Sequence, residues 1–292
     1  MSPGKAEGAL LWNTLIWGTT FVVVKNALAD SSPILFLACR FSLATVALVL
    51  IFAARRRIRW DWRTAAAGSL AGVFLFAGYF FQTLGLRSTT APKSAFITGL
   101  VSVMVPLVAA LVYRNRPQIS ELMGIVVATV GLVLMTLHDA GGGINPGDVL
   151  TFLCAIAFAV HIVVLGHYSE RMQFELLSVA QIGIGALLAL SLFWWAEPVR
   201  VRWTPSLIGA ILLTGLLATA LAFTIQAWAQ RYTTSTRTGL IYMLEPVFAW
   251  LTSFVLAGEG LSGRAAAGAV LILAGVLMVE LKPWNPQPHP SS

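Results

Sequence analysis

The chain has 292 residues, of which 58% are hydrophobic and 11% charged, against the roughly 25% charged that a soluble domain carries. With a mean hydropathy of +0.81, that composition excludes an ordinary water-soluble domain and describes a chain solvated by lipid. Two cysteines, Cys39 and Cys154, both inside apolar runs, exclude a disulfide scaffold. The net charge of +7 gives no nucleic-acid surface, because the basic residues punctuate the ends of apolar segments and form no stripe or arm.

A hydrocarbon core of about 30 Å needs about 20 apolar residues per helix. In chain order the apolar runs predict transmembrane helices over 8–28, 33–54, 64–86, 92–113, 119–138, 148–168, 175–196, 205–229, 238–257 and 262–281. The first run is too long for a secretory signal, carries Lys25 at its far end and lacks a small-residue cleavage site, so it reads as a retained helix. Pro33, Pro92 and Pro205 open spans, where proline's missing N–H costs nothing. The connectors are short, and Gly141 to Asp148 is turn chemistry. Residues 283–292 hold four prolines and read as a disordered cytoplasmic tail.

Placement of lysine and arginine orients the spans. With the N-terminus inside, twelve of the nineteen fall on the cytoplasmic side, among them the Arg55, Arg56, Arg57, Arg59 and Arg63 cluster. Six fall outside, including Arg200 and Arg202, which oppose the rule, and Arg40 lies within a span. Both termini are therefore expected in the cytoplasm. Trp60, Trp62, Trp194, Trp195, Trp203 and Trp284 suit interfacial belts.

The most informative signal is internal repetition. A shift of 144 aligns residues 82–131 with 226–275 without a gap, placing Gln82 on Gln226, Arg87 on Arg231, Thr89-Thr90 on Thr233-Thr234, and the Gly124/Gly131 pair on Gly268/Gly275. The repeats are expected over 8–138 and 148–281. Each holds five helices, an odd number, so the second enters the membrane inverted. Inverted repeats are the plan of secondary carriers, whose substrate site lies near the midplane between the halves. The fold class expected is thus an all-α polytopic membrane protein of ten helices in two inverted five-helix repeats.

An ionisable group within a span costs about 2.5–3.5 kcal/mol, so the few present should face a cavity or a partner. Arg40, Lys25, His161 and Glu245 qualify. Arg40 or Lys25 is a candidate for attracting an anionic group, and Glu245 or His161 for proton coupling, since imidazole titrates near neutrality. The structural alternatives are an Arg40–Glu245 pair, snorkelling by Lys25, and a His161 bonded to a carbonyl one turn away. Gln181 occupies in helix 7 the place of Arg40 in helix 2, at an offset of 141. Trp17, Thr20, Tyr79, Thr98, Ser102 and Tyr242 add aromatic and hydroxyl surface to the candidate cavity; singly, each also reads as interhelical glue. Gln82 and Gln226 are gate candidates near opposite faces. Pro106 and Pro246 inside spans are candidate hinges, or static kinks. The glycine pairs read as close-packing sites.

Enzyme and nucleotide-binding motifs are absent from the sequence, as is any carboxylate cluster for a metal, and no cofactor is expected. Trp17-Gly18 followed by Lys25, Arg40-Phe41, Glu245-Pro246-Val247, and Glu259 before a Gly-x6-Gly helix, in this order and spacing over residues 8–281, resemble the EamA-type family of the drug/metabolite transporter superfamily. The resemblance implies a multi-pass bacterial inner-membrane carrier, often an exporter of amino acids or related metabolites, working by alternating access around a cavity between the repeats. One departure is Asn115, where the register places Glu259. The expected partners are a small-molecule substrate and the lipid bilayer, with a second copy of the chain as candidate homodimer partner. A polytopic enzyme acting on a lipid-linked substrate, and a membrane scaffold or channel, are the readings from other classes.

Overall fold

The computed structural model describes residues 3–89, 91–114, 118–136, 145–249, 251 and 263–280. Asn115, Glu259, Thr90, the glycine turn at 141–143, the end of the ninth span beyond 251 and the proline-rich tail lie outside them. The described residues are helical nearly throughout, with one isolated bridge, Ser31 to Val201, outside any strand. In chain order the helices are α1 (Pro3–Ala27), α2 (Pro33–Ala54), α3 (Trp62–Gly85), α4 (Ala91–Gly99), α5 (Val101–Tyr113), α6 (Ile119–Thr136), α7 (Pro146–Ser169) and α8 (Phe174–Leu192). They continue with α9 (Pro205–Leu212), a π-helical stretch (Leu213–Leu221), α10 (Ala222–Ala229), α11 (Ser235–Tyr242) and α12 (Gly263–Glu280). Six helices among the described residues are long and apolar enough to cross a membrane: Pro33–Ala54, Trp62–Gly85, Ser94–Tyr113, Pro146–Ser169, Phe174–Leu192 and Pro205–Ala229. Ile119–Leu134 and Gly263–Val279 are shorter apolar helices. The first helix begins at Pro3, five residues ahead of its expected start, carrying Lys5 and Glu7 into its first turns.

Helix starts follow local chemistry. Pro33 and Pro205 occupy first turns, where no N–H is needed. Asp61 accepts from the Arg63 and Thr64 amides, Asn145 and Asp148 close a capping box, and Thr204 and Thr234 cap α9 and α11. Ser32 offers α2 no side-chain cap. Glu197, from the loop after α8, accepts instead from the Ile34 and Leu35 amides at 2.6 and 3.3 Å.

The two halves repeat in hydrogen-bond detail. The fourth span breaks at Leu100, whose amide bonds the Ile97 carbonyl three residues back. The ninth breaks at 243–244, where the Leu244 amide bonds the Ile241 carbonyl, 144 positions on. Neither break falls on a proline: Pro106 lies inside the unbroken α5, and Pro246 follows the second break within helical residues 245–249.

The glycine pairs expected to pack closely do so against each other. A methyl on Gly124 would meet the Gly275 carbonyl oxygen at 2.7 Å, and one on Gly131 the Gly268 oxygen at 2.5 Å. Since 124 faces 275 and 131 faces 268, α6 and α12 run antiparallel across a seam in which each helix presents the same surface to its equivalent. The loops pair in the same crossed fashion. At one end Arg202 forms an ion pair with Asp30 at 2.5 Å and the Ser32 amide donates to the Arg200 carbonyl. At the other, Gln173 bonds the Arg57 carbonyl and the Arg59 amide while Arg57 pairs with Glu175. Thr204 and then Arg202 hold the Asp30 carboxyl below the usual carboxylate range.

Candidate functional site

The helices line a partly open cavity of about 750 Å³, counted out to its mouth and including the solvent there. It is lined from both halves, and the lining residues match one another across the repeat. Tyr79 and Phe223, Gln82 and Gln226, Thr98 and Tyr242, and Val101 and Glu245 stand 144 apart; Trp17 and Phe158 stand 141 apart. The aromatic contacts obey the same symmetry. The Trp17 ring lies 5.2 Å from Phe223 and the Phe158 ring 5.2 Å from Tyr79, while Tyr79 and Phe223 meet each other at 6.0 Å. A pair of equivalent residues in mutual contact marks the local two-fold axis, so the axis passes between Tyr79 and Phe223, through the cavity.

Charge breaks this symmetry. Arg40, buried to 2% exposure about a third of the way along α2, lines the site. Its Nε donates to Thr219 Oγ1 at 2.6 Å, and its Nη2 to Tyr79 Oη at 3.0 Å and the Ala218 carbonyl at 3.3 Å. The guanidinium carbon also sits 4.2 Å from the centre of the Tyr79 ring, a cation–π contact. All these partners are neutral. Glu245 lines the same cavity, and among the described residues no ion pair joins it to Arg40, so the structural pair weighed from sequence is not formed. The backbone explains how Glu245 is placed: its carbonyl packs where a side chain on Gly18 would be, 2.8 Å from a methyl built there. Only glycine at position 18 lets α1 approach the break in the ninth span so closely.

His161 lines the cavity and donates through Nε2 to Gln181 Oε1 at 2.8 Å, a bond between helices and not to a carbonyl one turn away. Gln181 itself lies behind the lining, with its Nε2 among the buried atoms that lack a partner. Thr20 and Ser102 line the cavity with hydroxyls spent on the Trp17 and Gly239 carbonyls, at 2.8 and 2.5 Å. Gln82 donates to Thr98 at 3.4 Å. Gln226 donates to Gln230, which in turn donates to the Ile162 carbonyl, at 3.2 and 2.9 Å. That chain lies at one end of the cavity, with Gln226 and Ile162 among the lining residues and Gln230 behind them. Beyond it Glu7 accepts from Arg237 at 2.9 Å and Thr233 at 3.3 Å. Val24 and Leu86 bound the opposite end.

Lys25 is exposed on the last turn of α1 and takes no part in the lining, and Pro106 and Pro246 are also outside it. Sequence reasoning missed Phe158, Phe223 and Thr219. The first two were reachable, because they fall at the repeat equivalents of Trp17 and Tyr79. Thr219 carried no such signal.

A helical, multi-span architecture of two equivalent halves around a central cavity is that of a polytopic membrane transporter. A family model described as the EamA-like transporter family matches residues 5–137 and again 145–281. The chain belongs to that family. It is 34% identical over 283 residues to a protein of Archaeoglobus fulgidus described as an uncharacterized transporter, covering 95% of this chain and 86% of that one. It is 29% identical over 280 residues to a Salmonella typhimurium protein described as a probable amino-acid metabolite efflux pump, covering 90% of each. A solved crystal structure superposes with a TM-score of 0.79 at 21% identity, covering 95% of this chain and 97% of that one, a likeness of fold.

Proposed function

We propose that this chain is a secondary carrier and not an enzyme. In this reading it exports a small zwitterionic or amphipathic metabolite of the amino-acid type across the bacterial inner membrane, by alternating access around the central cavity. The observation that carries the reading is the cavity's content: an aromatic box on the local two-fold axis that also holds one guanidinium and one carboxylate, neither paired with the other. A ligand with an apolar body, a carboxylate and an ammonium would satisfy all three. Arg40 takes the carboxylate and Glu245 takes either the ammonium or the coupling proton. The relative described as an amino-acid metabolite efflux pump supports the substrate class.

The ten expected segments would then all cross the bilayer, with both termini in the cytoplasm. The excess of lysine and arginine on that side, twelve against six, supports the orientation, with Arg200 and Arg202 opposing it. The Gln226–Gln230–Ile162 chain then lies at the cytoplasmic end of the cavity. An enzyme acting on a lipid-linked substrate would instead gather its polar groups at one interface, whereas Arg40, His161 and Glu245 converge in mid-span.

The test is uptake by proteoliposomes from a panel of amino acids and amines, with and without a pH gradient. Glu245→Gln is expected to abolish accumulation driven by the gradient while sparing exchange. Unchanged pH dependence would remove Glu245 from coupling, and transport of nothing in the panel would overturn the carrier reading.

A further inference from the structure

The third and eighth spans are repeat equivalents, yet α3 has 24 residues and Pro205–Ala229 has 25. The extra residue can be located. The N-caps Asp61 and Thr204 stand 143 apart, as do Gly72 and Gly215, which press on the carbonyls of the equivalent residues Gln181 and Arg40. Past the insertion the spacing is 144, for Tyr79 and Phe223 and for the C-caps Leu86 and Gln230. Burial keeps step at 143 through Val73–Phe76 and Leu216–Thr219, each pair of stretches running from exposed to buried, and at 144 for the buried Gly78 and Ala222, so the residue enters at 220 or 221, within the π-helical stretch. A single inserted residue is how a π-bulge arises in an α-helix, and such bulges gather at functional sites.

The insertion changes what the helix offers Arg40. In an α-helix the Ala222 amide would bond the Ala218 carbonyl; here it goes to Leu217 and Thr219. The Ala218 carbonyl accepts instead from two side chains, Trp17 Nε1 at 2.9 Å and Arg40 Nη2 at 3.3 Å. The Thr219 hydroxyl spends its one proton on the Thr214 carbonyl, five residues back at 2.8 Å. It can therefore only accept from Arg40 Nε. Nε and Nη2 of the guanidinium are thus held by neutral groups of one wound-out turn, with Tyr79 also on Nη2, and Nη1 has no hydrogen-bond partner among the described residues. In the other half, where the span has no extra residue, the equivalent of Arg40 is the uncharged Gln181.

We propose that the inserted residue of the eighth span is a specificity device: the π turn seats Arg40 so that its Nη1 edge faces the cavity and selects substrates bearing a carboxylate. Thr219 and the Ala218 carbonyl are positioning groups. The proposal rests on the reading of Arg40 as the carboxylate-binding group.

Counterflow in proteoliposomes with phenylalanine and with phenethylamine, which differ by the carboxylate, tests it. The wild type favours phenylalanine. Thr219→Val, equal in shape but without an acceptor, raises the KM for phenylalanine about tenfold and leaves that for phenethylamine unchanged, while Thr219→Ser restores the wild-type ratio. Deletion of Leu221, which returns the span to 24 residues, has the effect of Thr219→Val; if it fails to fold, by its melting curve in detergent, the valine variant decides. Equal effects on both probes, no effect on either, or a deletion that keeps the preference would overturn the proposal. If Arg40→Gln leaves the ratio of the probes unchanged, or the wild type carries neither, the reading beneath it fails as well. A ratio that collapses in Arg40→Gln but not in Thr219→Val refutes the π seat alone.

Discussion

Replacing Gly275 with alanine tests the seam between α6 and α12. The new methyl would lie 2.5 Å from the Gly124 carbonyl oxygen and 2.8 Å from the Ala128 nitrogen, where ordinary contact begins at 3.4 Å. Both are backbone atoms and cannot turn aside, so the helices must part by about 0.9 Å. A gap of about 0.5–1 Å forfeits a quarter to a half of the dispersion attraction along the contact. The expected cost is that of overpacking, about 1–3 kcal/mol. In a melting curve of purified protein in detergent this is a fall of roughly 2–10 °C. A sharper expectation follows from the crossing itself. Gly124 faces Gly275, so once one methyl has parted the helices the second finds the space already open. The Gly124→Ala, Gly275→Ala double variant should cost clearly less than the two single costs together, as substitutions in direct contact do. Strict additivity, or a Gly275→Ala protein that melts with the wild type, would refute the seam as drawn.

Two further outcomes follow from the loops and ends. Because Thr204 and Arg202 depress the Asp30 carboxyl, their stabilisation is complete above the usual carboxylate range and is lost as pH falls through the lower folded value. Asp30→Asn should therefore lower the melting temperature at pH 7 and converge with the wild type in strong acid; a pH-independent difference would refute the assignment. Glu7→Ala removes the acceptor for Arg237 and Thr233 at the Gln230 end of the cavity. Bonds to charged groups are worth about 1.5–3 kcal/mol, so a melting temperature equal to the wild type would show that end to be held by other contacts.

Much of this architecture is legible in the sequence, because the features that place it recur. Pro33 and Pro205 mark helix starts by an effect confined to one residue, and the glycine pairs recur at a fixed shift that the structure turns into a seam. The shift also carries most of the cavity, since Gln82, Thr98, Gln226 and Tyr242 are two equivalent pairs. What escaped depends on single residues or on distance. The second break, at Met243-Leu244, falls in the turn before Pro246, where the ring removes the amide that would bond the Tyr242 carbonyl, whereas the first, at Leu100, has no proline within a turn to announce it. The extra residue after Thr219 vanishes in Leu-Ala-Thr-Ala-Leu, where apolar residues on every side leave no periodicity to interrupt. Arg40 is conspicuous as a charge in a span, but its partner Thr219 is 179 residues away and looks like any hydroxyl in a membrane helix. Glu197 as the cap of α2 is hidden for the same reason, 163 residues from the amide it serves.

The glycine seam also bears on how the protein is made. Its two sides, α6 and α12, are separated by about 130 residues of chain, which take roughly 6–25 s to synthesise. During that interval the small-residue face of α6 has no mate, while α7, α8 and the α9–α10 span assemble beside it. A chain stopped before Gly263 would hold its aromatic cavity and lack only the far wall of the seam, leaving α6 open to pairing with the same face of another copy. The residues that bind the finished halves together would then be those that let incomplete chains find one another.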